Sequence, residues 1–354
     1  MATRVWGPVL EERARELGAL AAASSVLLKP TDAPEDLLSR VRDTVPSEVL
    51  PVAGDTADTL RDRMKNSAFL HDSWVLKKGN GKGGYIRLNS TKYSQPRRVR
   101  WSTPASDSQV SSDGDGDRLF RGLAYPHYYT RSPLDATCEP MPAAIQELSR
   151  WCHGLAQPFL APGSCGGAPN SVELCLYYTA FKSQMGRHRD NFVSSDLTTY
   201  LASRDSSILN SGQNTQVPNS NVLIWSMGNA PMVLQLSYPA YGRGAGDRRT
   251  YTCHPEFSVP CGDGTLFIFS PLDDLFYAHQ ACFSDATLVA LGDSGYRAAF
   301  VMRWLDEART ARTFHVSGER RGSLSPSERE IQEEAIRVAA AKKRRRKAHQ
   351  HLCG

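Results

Sequence analysis

From residue 172 onward the chain is a succession of short apolar runs, VELCLYYTAF, NVLIWSM, MVLQLSY, GTLFIFS and YRAAFVMRW, separated by stretches holding Gly, Pro and Asn. Runs of that length suit strands, which need only five or six residues to cross a sheet, and not the longer helices of a bundle. Several such strands with turn residues between them predict an all-β sandwich or barrel. Other patterns flank them. MPAAIQELSRWCHGLA follows a proline and repeats apolar residues at Ile145, Leu148 and Trp151, which predicts a helix. The first sixty residues, with VLEERARELGALAAASS and APEDLLSRVRDTV, show helical spacing and predict a helical N-terminal region over 1–60. Short strands are expected from about Phe69 to Trp101, then a mobile Ser/Asp/Gly loop over 102–117.

A chain of 354 residues with 40% hydrophobic and 22% charged residues has the composition of a globular protein with a real core. Its eight cysteines form no CxxC pair and no regular framework, which predicts reduced thiols in an intracellular protein and argues against structural zinc. LGALAAASSVLL is too short to cross a bilayer, and Glu11-Glu12 upstream spoils a signal peptide, so a soluble protein with no membrane partner is expected. The net charge of +5 is unevenly spread, with KKRRRK (Lys342 to Lys347) near the C-terminus and QPRRVRW (Gln95 to Trp101) upstream of the strands. Basic clusters of this kind attract phosphate backbones, and the tail also fits a nuclear address, so the chain is expected in the nucleus, the cytoplasm or both. Ser325 to Glu328 fits a capping box opening a helix into that tail, over 307–354, where a solvated helix end is the plainer reading. GNGKGG (Gly79 to Gly84) has the spacing of a dinucleotide loop, but YIRLNSTKYS follows and alternates like a strand, so a hairpin turn is expected.

The chemistry centres on MGRHRDNF, where His188 and Asp190 lie two apart. On a strand that spacing puts both on one face, where they can share one ion, although a hydrogen-bonded surface pair has the same spacing. A two-histidine, one-carboxylate iron site needs a second histidine from elsewhere. His71, His127, His153, His254, His315, His349 and His351 fall in turns, helices or tails, whereas His279 follows a Gly-Asp-Gly turn, an apolar strand and a short loop. A histidine in such a segment is also a common core residue. In YRAAFVMRW, Arg297 and Arg303 are six apart, so both belong to one strand face that is otherwise apolar. At roughly 3.3 Å per residue their backbones lie about 20 Å apart, and buried guanidinium groups need acids. A dicarboxylate such as 2-oxoglutarate suits them, one arginine gripping its distal carboxylate and the other supporting the metal-side carboxylate or Asp190. Salt bridges to two core acids are the alternative.

The order His-x-Asp, His, Arg-x5-Arg resembles the AlkB-like Fe(II)/2-oxoglutarate dioxygenases, which oxidatively strip alkyl groups from nucleic-acid bases. HYYTRSPLDATCEPMPAAIQELSRWC and NVLIWSMGNAPMVLQL are similar to family segments before and after the metal motif, so the likeness spans about Leu119 to Leu305. It implies a mainly β fold with a double-stranded β-helix (jelly-roll, cupin-like) core over 166–306, flanked by helices, and a substrate-recognition lid over 61–165. His188, Asp190 and His279 would hold Fe(II) and leave room for 2-oxoglutarate and O2. Arg297, Arg303, Tyr177 and Tyr178 would serve the cosubstrate, while Tyr125, Tyr128, Tyr129 and Arg189 would contact the substrate, the tyrosines by stacking on a base taken out of its stack. Core packing is the alternative for the tyrosines. DNA or RNA is the implied partner and dealkylation repair the implied role, with a monomer expected. The sequence departs from the family at Ala299, where an asparagine is frequent, and at Val193 and Ser194, where bacterial members carry an acidic pair. It also departs at Tyr177-Tyr178, where the family has Asn-x-Tyr, and in the insertion LASRDSSILNSGQNTQVPNS between ligands. Those departures leave open a protein or small-molecule substrate for the same chemistry. A non-catalytic nucleic-acid-binding module is the reading of another class.

Overall fold

The computed structural model describes residues 2–5, 25–65, 97–105, 111–112, 118–123, 138–160, 166–188, 220–237, 257–271, 273 and 277–315. Its first strands are β1 (Ala2–Val5), β2 (Ser25–Leu28), β3 (Arg97–Ser102), β4 (Ser111–Ser112), β5 (Arg118–Leu123) and β6 (Glu139–Pro140). The apolar runs then form β7 (Ser171–Tyr178), β8 (Met185–His188), β9 (Val222–Met227), β10 (Met232–Ser237) and β11 (Phe257–Cys261). After these come β12 (Thr265–Phe269), β13 (Ala278–Phe283), β14 (Tyr296–Arg303) and β15 (Ala311–His315). The longer helices are α1 (Glu35–Arg42), α2 (Ala57–Lys65), α3 (Ala143–Ala156) and α4 (Asp285–Leu291). The fold is mainly β with few helices.

One sheet runs β1-β2-β12-β9-β14-β7-β3-β6, a second runs β11-β10-β13-β8, and a small third runs β15-β5-β4. Side-chain parity along the large sheet builds two layers of core. Leu174, Leu176, Leu223, Trp225, Leu266, Ile268, Phe300 and Met302 pack on the helical side. Cys175, Tyr177, Val222, Phe267, Phe269, Ala299 and Val301, one step out of phase, pack with Met232, Leu234, Leu236 and Phe283 of the four-stranded sheet. Successive residues on a strand point to opposite faces, so these strands must be apolar on both sides to fill two cores. The result is helices on one face of the large sheet and the second sheet on the other. Helix α3 covers the helical face with Ile145, Leu148, Cys152 and Ala156, the i, i+3, i+7, i+11 stripe of an amphipathic helix. Trp151 meets the fully buried Trp225 edge-on at 5.0 Å.

The N-terminal region supplies strands as well as helices, which corrects the all-helical expectation. β2 pairs antiparallel with β12, Val26 opposite Ile268 and Leu28 opposite Leu266. An apolar segment beside an open sheet edge satisfies the edge backbone groups as a strand, and as a helix it cannot. The helix expected over residues 9–25 falls almost wholly outside the described residues. So do GNGKGG, the expected strands before β3, most of the loop at 102–117, the Ser/Asn-rich insertion and the basic tail. Among the described residues no helix is long and apolar enough to cross a membrane, and no disulfide joins Cys138, Cys152, Cys175, Cys261 and Cys282 to one another. Burial pushes the Cys138 thiol up to about 11, far from reactivity.

Gly228, in the β9–β10 turn, is a position only glycine fits. Its φ is +120°, and a Cβ there would lie 2.5 Å from the carbonyl oxygen of Tyr296. That oxygen already accepts from the Ala230 N–H at 3.0 Å. Gly228→Ala is therefore expected to destabilise the protein by about 2–3 kcal/mol, read as a lowered urea midpoint.

Candidate metal and dicarboxylate site

His279 lies on β13, on the face that looks into the space between the two sheets. Leu236 is its cross-strand partner on β10, Phe269 of the large sheet meets its ring edge-on at 4.9 Å, and the residue is buried. On its other side β13 pairs with β8, and there His279 stands directly opposite His188. Opposite residues of an antiparallel pair share a face and have Cβ atoms about 4.5–5.5 Å apart, so the register brings two sequence-distant histidine positions together. Between this pair and the next, Ala281 opposite Met185, the register slips, leaving one extra residue on β8. Bulges of this kind re-aim a strand and are frequent beside active sites. Asp190 and Arg189 lie outside the described residues, as do Tyr125, Tyr128 and Tyr129. Among the described residues alone no group of three metal-ligating side chains forms.

Both arginines of β14 face the same inter-sheet space, as their even spacing requires. They are not equivalent. Arg303 is buried and its Nη1 lies 3.5 Å from Oε2 of Glu173, a carboxylate whose Oε1 lies 3.4 Å from Nε of Arg100. Arg297 is 5% exposed. Its Nη2 donates to Ser226 Oγ at 2.7 Å, its Nη1 reaches the Met232 sulfur at 3.8 Å, and its carbon centre sits 5.6 Å from the ring of Tyr177. Its Nε has no hydrogen-bond partner among the described residues. None of the ion pairs of the described residues includes it. Of the two readings open for these arginines, a core acid is realised among the described residues for Arg303 and not for Arg297. A buried guanidinium with two neutral contacts leaves a full charge uncompensated, which a protein tolerates poorly without a partner anion.

The strand registers fix where each arginine stands relative to the histidines. Arg297 reaches Met232, which pairs with Phe283, whereas His279 pairs with Leu236 at the other end of β10. Phe269, the ring against His279, pairs with Val222, and the next residue of β9, Leu223, pairs with Met302. Arg303 thus marks the histidine end of the space and Arg297 the far end. Four steps of β10 separate Met232 from Leu236, about 13 Å of strand.

Tyr177 is the residue opposite Arg297 and shares its face. Tyr178, one step on, does not: it lies on the helical side, with Phe181 edge-on at 5.7 Å. Strand parity therefore removes Tyr178 from the cosubstrate set. Arg100 needs a second correction. In sequence it belongs to a basic cluster suited to phosphate, but Val99 and Trp101 pack on the helical side. The alternation turns Arg100 inward, where its side chain is 13% exposed and paired with Glu173.

Sequence reading passed over Glu173, Ser226 and Asp273. The first two are lone polar residues in otherwise apolar strands, a signal as legible as that of the arginines. Asp273, in the β12–β13 connection, is fully buried. Its Oδ2 accepts from the backbone N–H of Ser25 at 3.3 Å and from the Ser25 hydroxyl, and its Oδ1 has no partner among the described residues. Burial raises its carboxyl to about 7, against the two Ser25 hydrogen bonds, which lower it.

No family model matches the chain, and no curated protein matches it. Among solved structures, the one titled "The structure of OsALKBH1" is similar at 13% identity and a TM-score of 0.35, with 79% of this chain and 96% of that chain covered.

Proposed function

We propose that the chain is an Fe(II)- and 2-oxoglutarate-dependent dioxygenase that oxidatively dealkylates nucleic-acid bases. The observation that carries this reading is Arg297: a buried guanidinium with no carboxylate among the described residues, facing the same inter-sheet space as the paired positions His188 and His279. The strand order supports a double-stranded β-helix as the frame. From β7 to β14 the chain contributes β12-β9-β14-β7 to one sheet and β11-β10-β13-β8 to the other, crossing between them as nested antiparallel strands do in jelly rolls.

The donor set fits the implied metal. Two imidazoles and a carboxylate suit Fe(II) on one face, and His188, Asp190 and His279 are the residues that would hold it. With 2-oxoglutarate and O2, the bound iron supplies hydroxylation of a substrate C–H bond, with succinate and carbon dioxide as co-products. The protein's part is placement. Arg297 fixes the distal carboxylate of the cosubstrate, Ser226 holds one arm of that guanidinium, and Tyr177 covers its face. Phe269 and Leu236 keep the surroundings of His279 apolar and exclude water. On this reading the basic tail serves a nucleic-acid partner and a nuclear address.

The test is reconstitution with Fe(II) and 2-oxoglutarate under anaerobic conditions, then admission of air with methylated single- and double-stranded DNA and RNA, with His279→Ala as control. Succinate and formaldehyde from the wild type on one of these polymers, and neither from the variant, are expected. Succinate without formaldehyde on any polymer would move the substrate to a protein or small molecule, the reading favoured by Val193 and Ser194. Absence of both products from an iron-loaded protein would overturn the oxygenase reading.

A further inference from the structure

Three adjacent strands carry a buried charge network on the inter-sheet face. Arg100 on β3 stands directly opposite Glu173 on β7, and Glu173 stands opposite Val301 on β14. Arg303, two residues beyond Val301 and opposite the small Ser171, is therefore a diagonal neighbour of Glu173, within reach of a long side chain. Each oxygen of the carboxylate takes one guanidinium, at 3.4 and 3.5 Å. The three side chains are 13%, 6% and 8% exposed, so little solvent screens them. Two like charges that close in a poorly screened space repel unless an anion stands between them. Glu173 is that anion.

We infer that Glu173 is a positioning residue, which holds Arg303 at the histidine end of the cosubstrate space against repulsion from Arg100. The inference rests on the oxygenase reading, because it assigns Arg303 to the metal-side carboxylate or to Asp190. It also divides the work between the β14 arginines. Arg303 is neutralised within the protein and orients, whereas Arg297 keeps its charge for the ligand.

The test is calorimetric titration of 2-oxoglutarate into the full chain loaded with Mn(II), a redox-silent substitute for Fe(II), under anaerobic conditions. Glu173→Gln keeps the size and removes the charge. With Mn(II) held at saturation, it is expected to weaken 2-oxoglutarate about tenfold or more, the scale of losing one partner of a buried charge pair. Adding Arg100→Gln removes the repulsion and is expected to restore binding, which a merely structural contact would not do. Should Glu173→Gln fail to fold, Glu173→Asp retains the charge but is one methylene too short to bridge both arginines, and the same weakening is expected. Unchanged 2-oxoglutarate affinity in the single variant, or a double variant as weak as the single, overturns the role of Glu173 alone. A wild type that takes up Mn(II) but no 2-oxoglutarate overturns the oxygenase reading, and this role with it.

Discussion

Replacing Arg297 by glutamine is expected to weaken 2-oxoglutarate binding on the order of a hundredfold or more, and to leave the protein at least as stable as before. The two effects have one cause. Loss of one member of a buried charged pair costs about 2–5 kcal/mol of binding, since the other charge is left without its partner. Without a bound dicarboxylate, Arg297 is itself that abandoned charge among the described residues, where its hydrogen-bonding contacts are Ser226 and Met232, both neutral. Removing a buried unpaired cation relieves a desolvation penalty, so the folded state gains. Arg297→Lys keeps the charge and loses the fork, and an intermediate affinity is expected. Calorimetry with 2-oxoglutarate on the Mn(II)-loaded variants, and urea unfolding of the metal-free ones, measure the two sides. A strongly destabilised Arg297→Gln that still binds the cosubstrate would make the arginine a packing element.

Asp273→Asn is expected to remove a large part of the pH dependence of stability between about pH 4 and pH 7. The carboxyl titrates near 7 in the folded protein against an ordinary value of 3.8. Between those values the folded state holds a proton that the unfolded chain has released, so stability falls as pH rises through this window and is level above it. At about 1.36 kcal/mol for each pH unit, the whole window amounts to about 4 kcal/mol. Burial causes the shift, and only hydrogen bonds from Ser25 oppose it. Asparagine keeps the shape and the Ser25 acceptor without an ionisable proton. Urea midpoints for the wild type and Asp273→Asn at pH 5 and pH 8 decide it: the wild type should lose stability across that interval and the variant should lose markedly less. Parallel losses would place the charge of Asp273 in a better-solvated setting than its burial indicates.

Five strands that frame the site were legible because their apolar runs are long enough to show both ends: β9, β10, β12 and β14 fall within the runs seen in sequence, and β7 starts one residue before its run. Helix α3 was legible for the same reason, with its proline start and apolar stripe. The common face of Arg297 and Arg303 followed from their even spacing alone. Which acid answers which arginine did not, because Glu173 meets Arg303 only through the pairing of β7 with β14, a contact between strands far apart in the chain. The choice between Tyr177 and Tyr178 is a matter of parity, and Glu173, Cys175 and Tyr177 share one. Arg100 misled for the opposite reason. A cluster of arginines suggests surface, yet Val99 and Trp101 oblige it to turn inward. Strand β2 was missed because its stretch is too short to advertise a strand, and its pairing with β12 is what makes it one.

The slip in pairing between β8 and β13 gives the ligand motif a hidden dependence on residue count. Met185 stands opposite Ala281 and His188 opposite His279, so three steps along one strand answer two along the other. If the same residues paired without the slip, position 187 would meet His279, and position 188 would belong to the face turned away. One more residue inserted between Met185 and His188 would likewise turn the histidine to the other face, while leaving the His-Arg-Asp string, His279 and both β14 arginines intact to any motif search. Loss of one residue there would instead be absorbed by closing the bulge, with the histidine, then two steps from Met185, still opposite His279. The distance in sequence between Met185 and the motif is thus an inherited measurement, and variants that alter it must be judged by counting residues as well as by matching them.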